Sequence, residues 1–414
     1  MIFNSGSLIV TRLIAAVSGF AFWAIAANRF PTEAIGFAGA AITSMLTVGN
    51  FGMLGIGTYL VSEMHRKRVE RGTLFSTGFA VAAAAGLILG TLFATLAPLV
   101  IGTLAPLRMG LSSLALFAVG TALTTTMLLL EEVLIGLLLG GMTVLRSMFF
   151  AVIRLGALLV LLGAQSAPTP IVMLLAWLLG DGLSALVILG IGLLRGQRPQ
   201  LGRFEFSAIQ SGAGTALHHH LLTMALNISG MLVPIVVAAV LSAHDNAMFS
   251  VAWINTSLAF AIPFALSSVL YAAGNAEPHA ARAKLRQTLL IGAAASALAA
   301  AAFWLAAPWV MQRFGDDYVI AATLAIRVIV LAVFPVLIKS LWVTMQRING
   351  RMSRALRLVS AGGLLELGMP IAGGLIYGLN GACIAWLLSQ IILAAVYVLP
   401  LLRIARVSRA KRQL

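Results

Sequence analysis

Charged side chains are scarce in this sequence, and acidic ones scarcer still. Asp, Glu, Lys and Arg make up 9% of its 414 residues, with 12 acidic against 27 basic. A soluble domain of this length needs far more polar surface, so that class is excluded. Cysteine is nearly absent: the single Cys383 sits in an apolar run, which excludes an internal disulfide and leaves the redox compartment unmarked. Runs that alternate polar and apolar residues are missing, which excludes the strands of a membrane barrel. No nucleotide-binding motif occurs, so ATP hydrolysis by the chain itself is not expected. A cleavable signal peptide is not expected either, because no basic leader precedes the first apolar run and Arg12 interrupts it.

What is present is apolar: 61% of the residues, with a mean hydropathy of +1.03. In lipid the backbone must satisfy its own hydrogen bonds, so the expectation is an all-α integral membrane protein. The stretch from Asn4 to Arg71 sets the pattern. An apolar run, Leu8 to Ala27, is followed by the polar break Asn28-Arg29-Phe30-Pro31-Thr32-Glu33. A glycine-rich apolar run, Ala34 to Val61, then ends at Arg66, Lys67, Arg68 and Arg71. That is a helical hairpin across a bilayer, and the rest of the chain largely repeats it. Twelve spans are predicted near 5–27, 34–61, 73–97, 111–137, 147–164, 170–194, 216–241, 246–270, 287–311, 319–345, 355–378 and 381–402.

With the N-terminus inside, alternate connections and the tail hold 20 Lys and Arg. They include Arg146, Arg195, Arg198, Arg203, Arg282, Lys284, Arg286, Arg347, Arg351, Arg354 and Arg357. The outer loops hold only Arg29, Arg108 and Arg313. This bias predicts both termini in the cytoplasm. It also accounts for the net charge of +15, so nucleic acid is not expected as a partner. The short outer loops leave no room for a domain there. The basic tail, 403–414, is expected on anionic lipid headgroups.

Six spans precede the longest inner loop, 195–215, and six follow it, predicting bundles over 1–194 and 216–402 related by a pseudo-two-fold. Helix 1 places Asn4, Ser7, Thr11 and Ser18 on one face, and helix 7 places His220, Thr223, Asn227, Gly230 and Pro234 similarly. The turns that follow also align, Glu33-Ala34-Ile35-Gly36-Phe37 beside Asp245-Asn246-Ala247-Met248-Phe249. Small and polar residues that merely pack helices would leave the same trace.

Arg29-Phe30-Pro31-Thr32-Glu33-Ala34-Ile35-Gly36 resembles the R-L-G-P-E-x-x-G turn of polysaccharide exporters, the O-antigen-type lipid-linked oligosaccharide flippases of the multidrug/oligosaccharidyl-lipid/polysaccharide (MOP) superfamily. Asn50-Phe51-Gly52-Met53-Leu54-Gly55-Ile56-Gly57 resembles their D-F-G-L-G segment closing helix 2. Phe30, Pro31 and Asn50 depart from the usual Leu, Gly and Asp. The resemblance implies two six-helix bundles in a V around a cavity, alternating access, no cofactor and a bacterial inner membrane. It implies a polyprenyl-diphosphate-linked oligosaccharide as cargo and the polysaccharide polymerase of the same pathway as a partner.

Charges inside a bilayer are costly and therefore functional candidates. They are Arg12, Glu131, Glu132, Arg154, Asp181, Arg327, Lys339 and Glu366. Arg12, Arg154 and Arg327 are candidates to bind the diphosphate, since a guanidinium stays charged and grips phosphate oxygens in a fork. Thr11, Asn227 and His220 join them on the polar faces. Glu131, Glu132, Asp181 and Glu366 are candidates for proton coupling. Pairing of Arg154 with Asp181, and of Arg12 with Glu131 or Glu132, is the equal alternative. Lys339 is expected to snorkel to headgroups. His218, His219 and His220 point to different helix faces, which argues against a metal site. On helix 4, Thr121, Thr124, Thr125, Glu131 and Glu132 form a polar stripe facing helices or water. On helix 11, Gly362, Glu366, Pro370 and Gly373 share one side.

Two other classes compete. A cation-coupled multidrug exporter of the same superfamily predicts an acidic cavity with few arginines. A membrane-embedded polysaccharide polymerase, ligase or acyltransferase needs a loop of clustered catalytic groups, and Asp316-Asp317 is the only acidic pair in the outer loops.

Overall fold

A computed structural model describes residues 2–66, 71–108, 110–137, 139–164, 169–194, 202–276 and 278–410. Among them the chain is all helix. It runs α1 (Ile2–Ala27), α2 (Thr32–Gly52), α3 (Ile56–Arg66), α4 (Arg71–Leu96), α5 (Leu111–Gly136), α6 (Gly140–Gly163), α7 (Ile171–Leu194), α8 (Ser207–Val240), α9 (Ala243–Ala276), α10 (Pro278–Gln312), α11 (Asp316–Leu331), α12 (Val333–Ile348) and α13 (Met352–Ala410). Two 3-10 turns, Ala97–Leu99 and Gly102–Arg108, link α4 to α5.

Nine described segments are long and apolar enough to cross a membrane. One of them, Met352–Arg403, breaks at Tyr377 and Gly378 (φ 59°), and Leu13–Ala27 and Gly230–Val240 add shorter apolar pieces. This reproduces the twelve expected spans and makes the chain a multi-pass membrane protein. Where the first arm of α13 turns into the second, Gly373 and Gly381 approach each other so closely that a Cβ on either would strike the other's carbonyl.

The second expected span is interrupted. α2 stops at Gly52, Leu54 and Gly55 adopt positive φ (50° and 79°), and α3 restarts at Ile56. The segment resembling a helix-2 closing motif is therefore a real helix end. The first turn of α2 is built as the sequence dictates: the Pro31 carbonyl accepts from the Ala34 and Ile35 amides, and Glu33 lies in the positive end of the helix dipole. α9 begins alike, with Asp245 in its first turn.

The chain divides into two compact units, Met1–Met224 and Ala225–Leu414. The first half of α8 belongs to the first unit because it is packed there. Ile209 and Ala216 join a core with Ile56, Tyr59, Leu60, Leu74, Leu129 and Val133, and the Tyr59 hydroxyl donates to the Ala208 carbonyl at 2.8 Å. Just before it, the amides of Gly202 and Glu205 donate to Ser76 Oγ and Thr77 Oγ1 of α4. In the second unit, Leu270, Leu285, Leu337, Leu341, Trp342, Val359, Leu393 and Tyr397 form the main core.

The threonine stripe of α5 serves helix packing. Thr121 and Thr125 donate back to the carbonyls of Phe117 and Thr121, each at 2.8 Å. Their outer faces meet glycines on α4, where a Cβ on Gly86 or Gly90 would collide with Thr125 or Thr121.

Candidate functional site

In the first unit two buried arginines lie on α6, and Glu131 and Asp181 of the neighbouring helices meet one of them. Arg146, Phe150 and Arg154 recur every four residues and so share one face. Arg146 Nη2 lies 3.2 Å from Glu131 Oε2 on α5, and its Nη1 lies 3.7 Å from Asp181 Oδ1 on α7. One guanidinium thus ties two carboxylates on two helices. By sequence Arg146 belongs with the loop cations. α6 starts seven residues earlier than the expected span, which draws Arg146 into the helix, where it is buried. The four-residue spacing to Arg154 was the signal that could have found it.

Arg154 is sealed at 2% exposure. Its Nη2 donates to Ser18 Oγ at 2.9 Å. Its guanidinium lies over three rings, Phe22 at 5.1 Å and Phe150 and Trp177 each at 4.6 Å. Ser18 and Phe22 are four apart on α1, so one helix face supplies both contacts. Gly180 on α7 lets α6 approach, since a Cβ there would press on the Arg154 Cβ. Among the described residues no carboxylate lies within 4 Å of Arg154: Asp181, its expected partner, pairs with Arg146. Glu131 likewise has Arg146 as partner. Arg12 lies in α1 with its side chain outside the described residues. Thr11 beside it is buried, its hydroxyl without a hydrogen-bond partner. Glu132 is exposed on α5, its carboxylate lying where a Cβ on Gly57 would be.

His220 on α8 caps α2. Its Nε2 lies 2.9 Å from the Asn50 carbonyl in the last turn of α2, which also accepts from the Met53 amide, so Nε2 carries the donated proton. Asn227 and the side chains of His218 and His219 fall outside the described residues.

In the second unit Lys339 does not snorkel. Its Nζ donates to Glu366 Oε1 at 2.6 Å, joining α12 to α13, and Glu366 is 1% exposed. Arg327 on α11 is half-buried. Its Nε donates to the Trp304 carbonyl of α10 at 3.2 Å, and its guanidinium lies 5.5 Å from the Trp304 ring centroid. That carbonyl is free because Pro308, four residues on, has no amide to give it.

No protein-family model and no curated protein matches the chain. Solved structures match along its length. An inward-facing multidrug resistance MATE family transporter of the MOP superfamily aligns with a TM-score of 0.70 at 17% identity, over 97% of this chain and 99% of its own. The lipid II flippase MurJ, in an inward closed conformation, aligns with a TM-score of 0.70 at 14% identity, over 99% of this chain and 91% of its own. A MOP superfamily transporter from Pyrococcus furiosus, described as having a binding pocket of reverse polarity, aligns with a TM-score of 0.65 at 15% identity, over 98% and 95%. At these identities the likeness speaks to architecture: this chain has the fold of the MOP superfamily transporters.

Proposed function

We propose that the protein is a flippase that moves a polyprenyl-diphosphate-linked oligosaccharide from the cytoplasmic to the outer leaflet of a bacterial inner membrane, by alternating access, with both termini cytoplasmic. The observation that carries this reading is the way the membrane charges are matched. The buried carboxylates Asp181 and Glu366 already hold the cations Arg146 and Lys339. Arg154 and Arg327, by contrast, have no carboxylate within 4 Å among the described residues. Neutralised carboxylates are poor sites for a cationic drug, whereas unmatched guanidinium groups favour an anionic headgroup; of the four named carboxylates only Glu132 has no cation within 4 Å among the described residues. Arg154 contributes a fixed field from inside its ring box; contact with the diphosphate falls to Arg12 in the first unit and Arg327 in the second, and Thr11, His220 and Asn227 are the further polar candidates. The turn motif at Arg29–Gly36 supports the same cargo class. Proton uptake at Asp181, Glu366, Glu131 or Glu132 is the proposed drive, because neutralising Asp181 or Glu366 releases the cation that joins two helices. The basic tail rests on anionic headgroups, and the polymerase that consumes the flipped unit is the proposed partner.

The multidrug exporter is the second reading, favoured by the MATE likeness. One experiment separates them. In a strain deleted for this gene, polyprenyl-diphosphate sugars are extracted and analysed by mass spectrometry. Accumulation of a single repeat unit on the cytoplasmic leaflet, cleared by the intact gene but not by Arg12→Gln, is the expected result. A normal lipid-sugar profile with new sensitivity to cationic drugs overturns the flippase and favours the exporter.

A further inference from the structure

We infer that the second unit carries, below the turn at Gly315, a binding site for the phosphate of a membrane lipid, built around the stack of Arg327 on Trp304, with Arg313 on Trp309 as a second cation nearer the helix end. The first stack is Arg313 over Trp309, with 5.0 Å from the guanidinium carbon to the ring centroid. The second is Arg327 over Trp304 at 5.5 Å. Trp304 and Trp309 are five residues apart on α10, roughly 7 Å along the axis. Five residues also turn about 140° around the helix, so the stacks lie at two levels and on different faces below the turn at Gly315, Arg313 near the helix end and Arg327 deeper.

Three features distinguish this from an ordinary interfacial belt of tryptophans. The deeper arginine is preorganised. Pro308 leaves the Trp304 carbonyl without its helical donor, and Arg327 Nε fills that place at 3.2 Å while the indole supports its face. Held at Nε and from beneath, the guanidinium keeps its two terminal nitrogens for a forked grip on phosphate oxygens. The surroundings are apolar and open: Leu305 is 78% and Ile320 86% exposed, and Leu324 lies between Ile320 and Arg327 on the same face of α11. That surface suits a lipid chain, not a soluble anion. The Arg327 charge is distant from the acidic neighbours in sequence: Asp316 and Asp317 open α11 in its first turn, about eleven residues, or roughly 16 Å, from Arg327, and they lie nearer Arg313. An arginine on an exposed apolar face within a span is costly unless a counter-ion reaches it, and a lipid phosphate is the anion that a membrane supplies.

The site stands whichever cargo the protein moves. The shared chemistry is a phosphate on a long apolar chain, from either a diacyl lipid or a polyprenyl carrier. The test is native mass spectrometry of the full chain in detergent, offered phosphatidic acid, undecaprenyl phosphate and phosphatidylcholine in turn. Retention of at least one lipid phosphate is expected to fall about tenfold or more in Arg313→Gln/Arg327→Gln, while phosphatidylcholine is unaffected. Retention by cytoplasmic arginines is common to all variants and cancels. Arg327→Lys, which keeps the charge but has no Nε, and Pro308→Ala, which returns the Trp304 carbonyl to its own helix, are expected to lose part of the retention without loss of fold. Loss of only the diacyl or only the polyprenyl lipid identifies the source. Equal retention of both lipid phosphates in the wild type and the double variant overturns the inference.

Discussion

Arg154 and Arg327 are both arginines held by tryptophan within membrane helices, yet the first is closed and the second open. Arg154 has three rings, a serine hydroxyl and 2% exposure. Arg327 has one ring, one carbonyl and a half-exposed position among apolar side chains. The contrast separates two uses of the same residue type. A guanidinium surrounded by rings from α1, α6 and α7 fastens those helices together. One held at a single edge remains available to a ligand. The carboxylates differ in parallel: Arg146 is shared by Glu131 and Asp181, whereas Lys339 and Glu366 are matched one to one.

The largest effect expected from breaking this pattern lies in the second unit. Lys339→Met strands Glu366 as a buried, unmatched charge and is expected to lower stability by about 3–5 kcal/mol, read as thermal unfolding in detergent. Lys339→Met/Glu366→Leu should recover most of that loss. If the single variant is as stable as wild type, the pair is not what joins α12 to α13.

Arg154→Ala opens the ring box and leaves a cavity, with an expected loss of about 2–4 kcal/mol. Arg154→Lys should lose a part, because an ammonium cannot lie flat against three rings at once. Full stability of Arg154→Ala would reassign it from fastener to ligand contact and erase the contrast with Arg327.

Gly55→Ala tests the break between α2 and α3. The residue has φ 79°, and a Cβ there would run into the Ala216 backbone. A loss of about 1–3 kcal/mol is expected, with altered protease sensitivity where α8 packs on α3. The smallest effect should be Glu131→Gln, about 1 kcal/mol or less, because Glu131 is one-third exposed and Arg146 keeps Asp181. Adding Asp181→Asn should cost more than the sum of the two single changes, since Arg146 then has neither partner.

Much of the architecture was legible because lipid imposes simple rules. The spans and the hairpin at Pro31 follow from hydropathy and the polar break Asn28–Glu33; the closing segment at Asn50–Gly57 follows only from the family resemblance, since hydropathy runs one span, 34–61, through it. The charges themselves were also legible, since each stands out from an apolar run. Their partners were not. Arg146 was assigned to a loop because a cation near a span end looks like topology bias until the true helix start is known. Lys339 was sent to headgroups because a lysine's reach is local information, while the carboxylate it meets lies 27 residues away on another helix. Pro308 carries no signal in the sequence, because the carbonyl it frees matters only with Arg327 beside it.

The sequence alone therefore determined which stretches cross the membrane and, Arg146 excepted, which charges lie within them, since those follow from the cost of exposing backbone and charge to hydrocarbon. Which charge neutralises which, which arginine is sealed by rings and which stays open were decided only by tertiary packing. Electrostatic and aromatic contacts act over a few ångströms between helices, and no periodicity along one helix records what its neighbour presents.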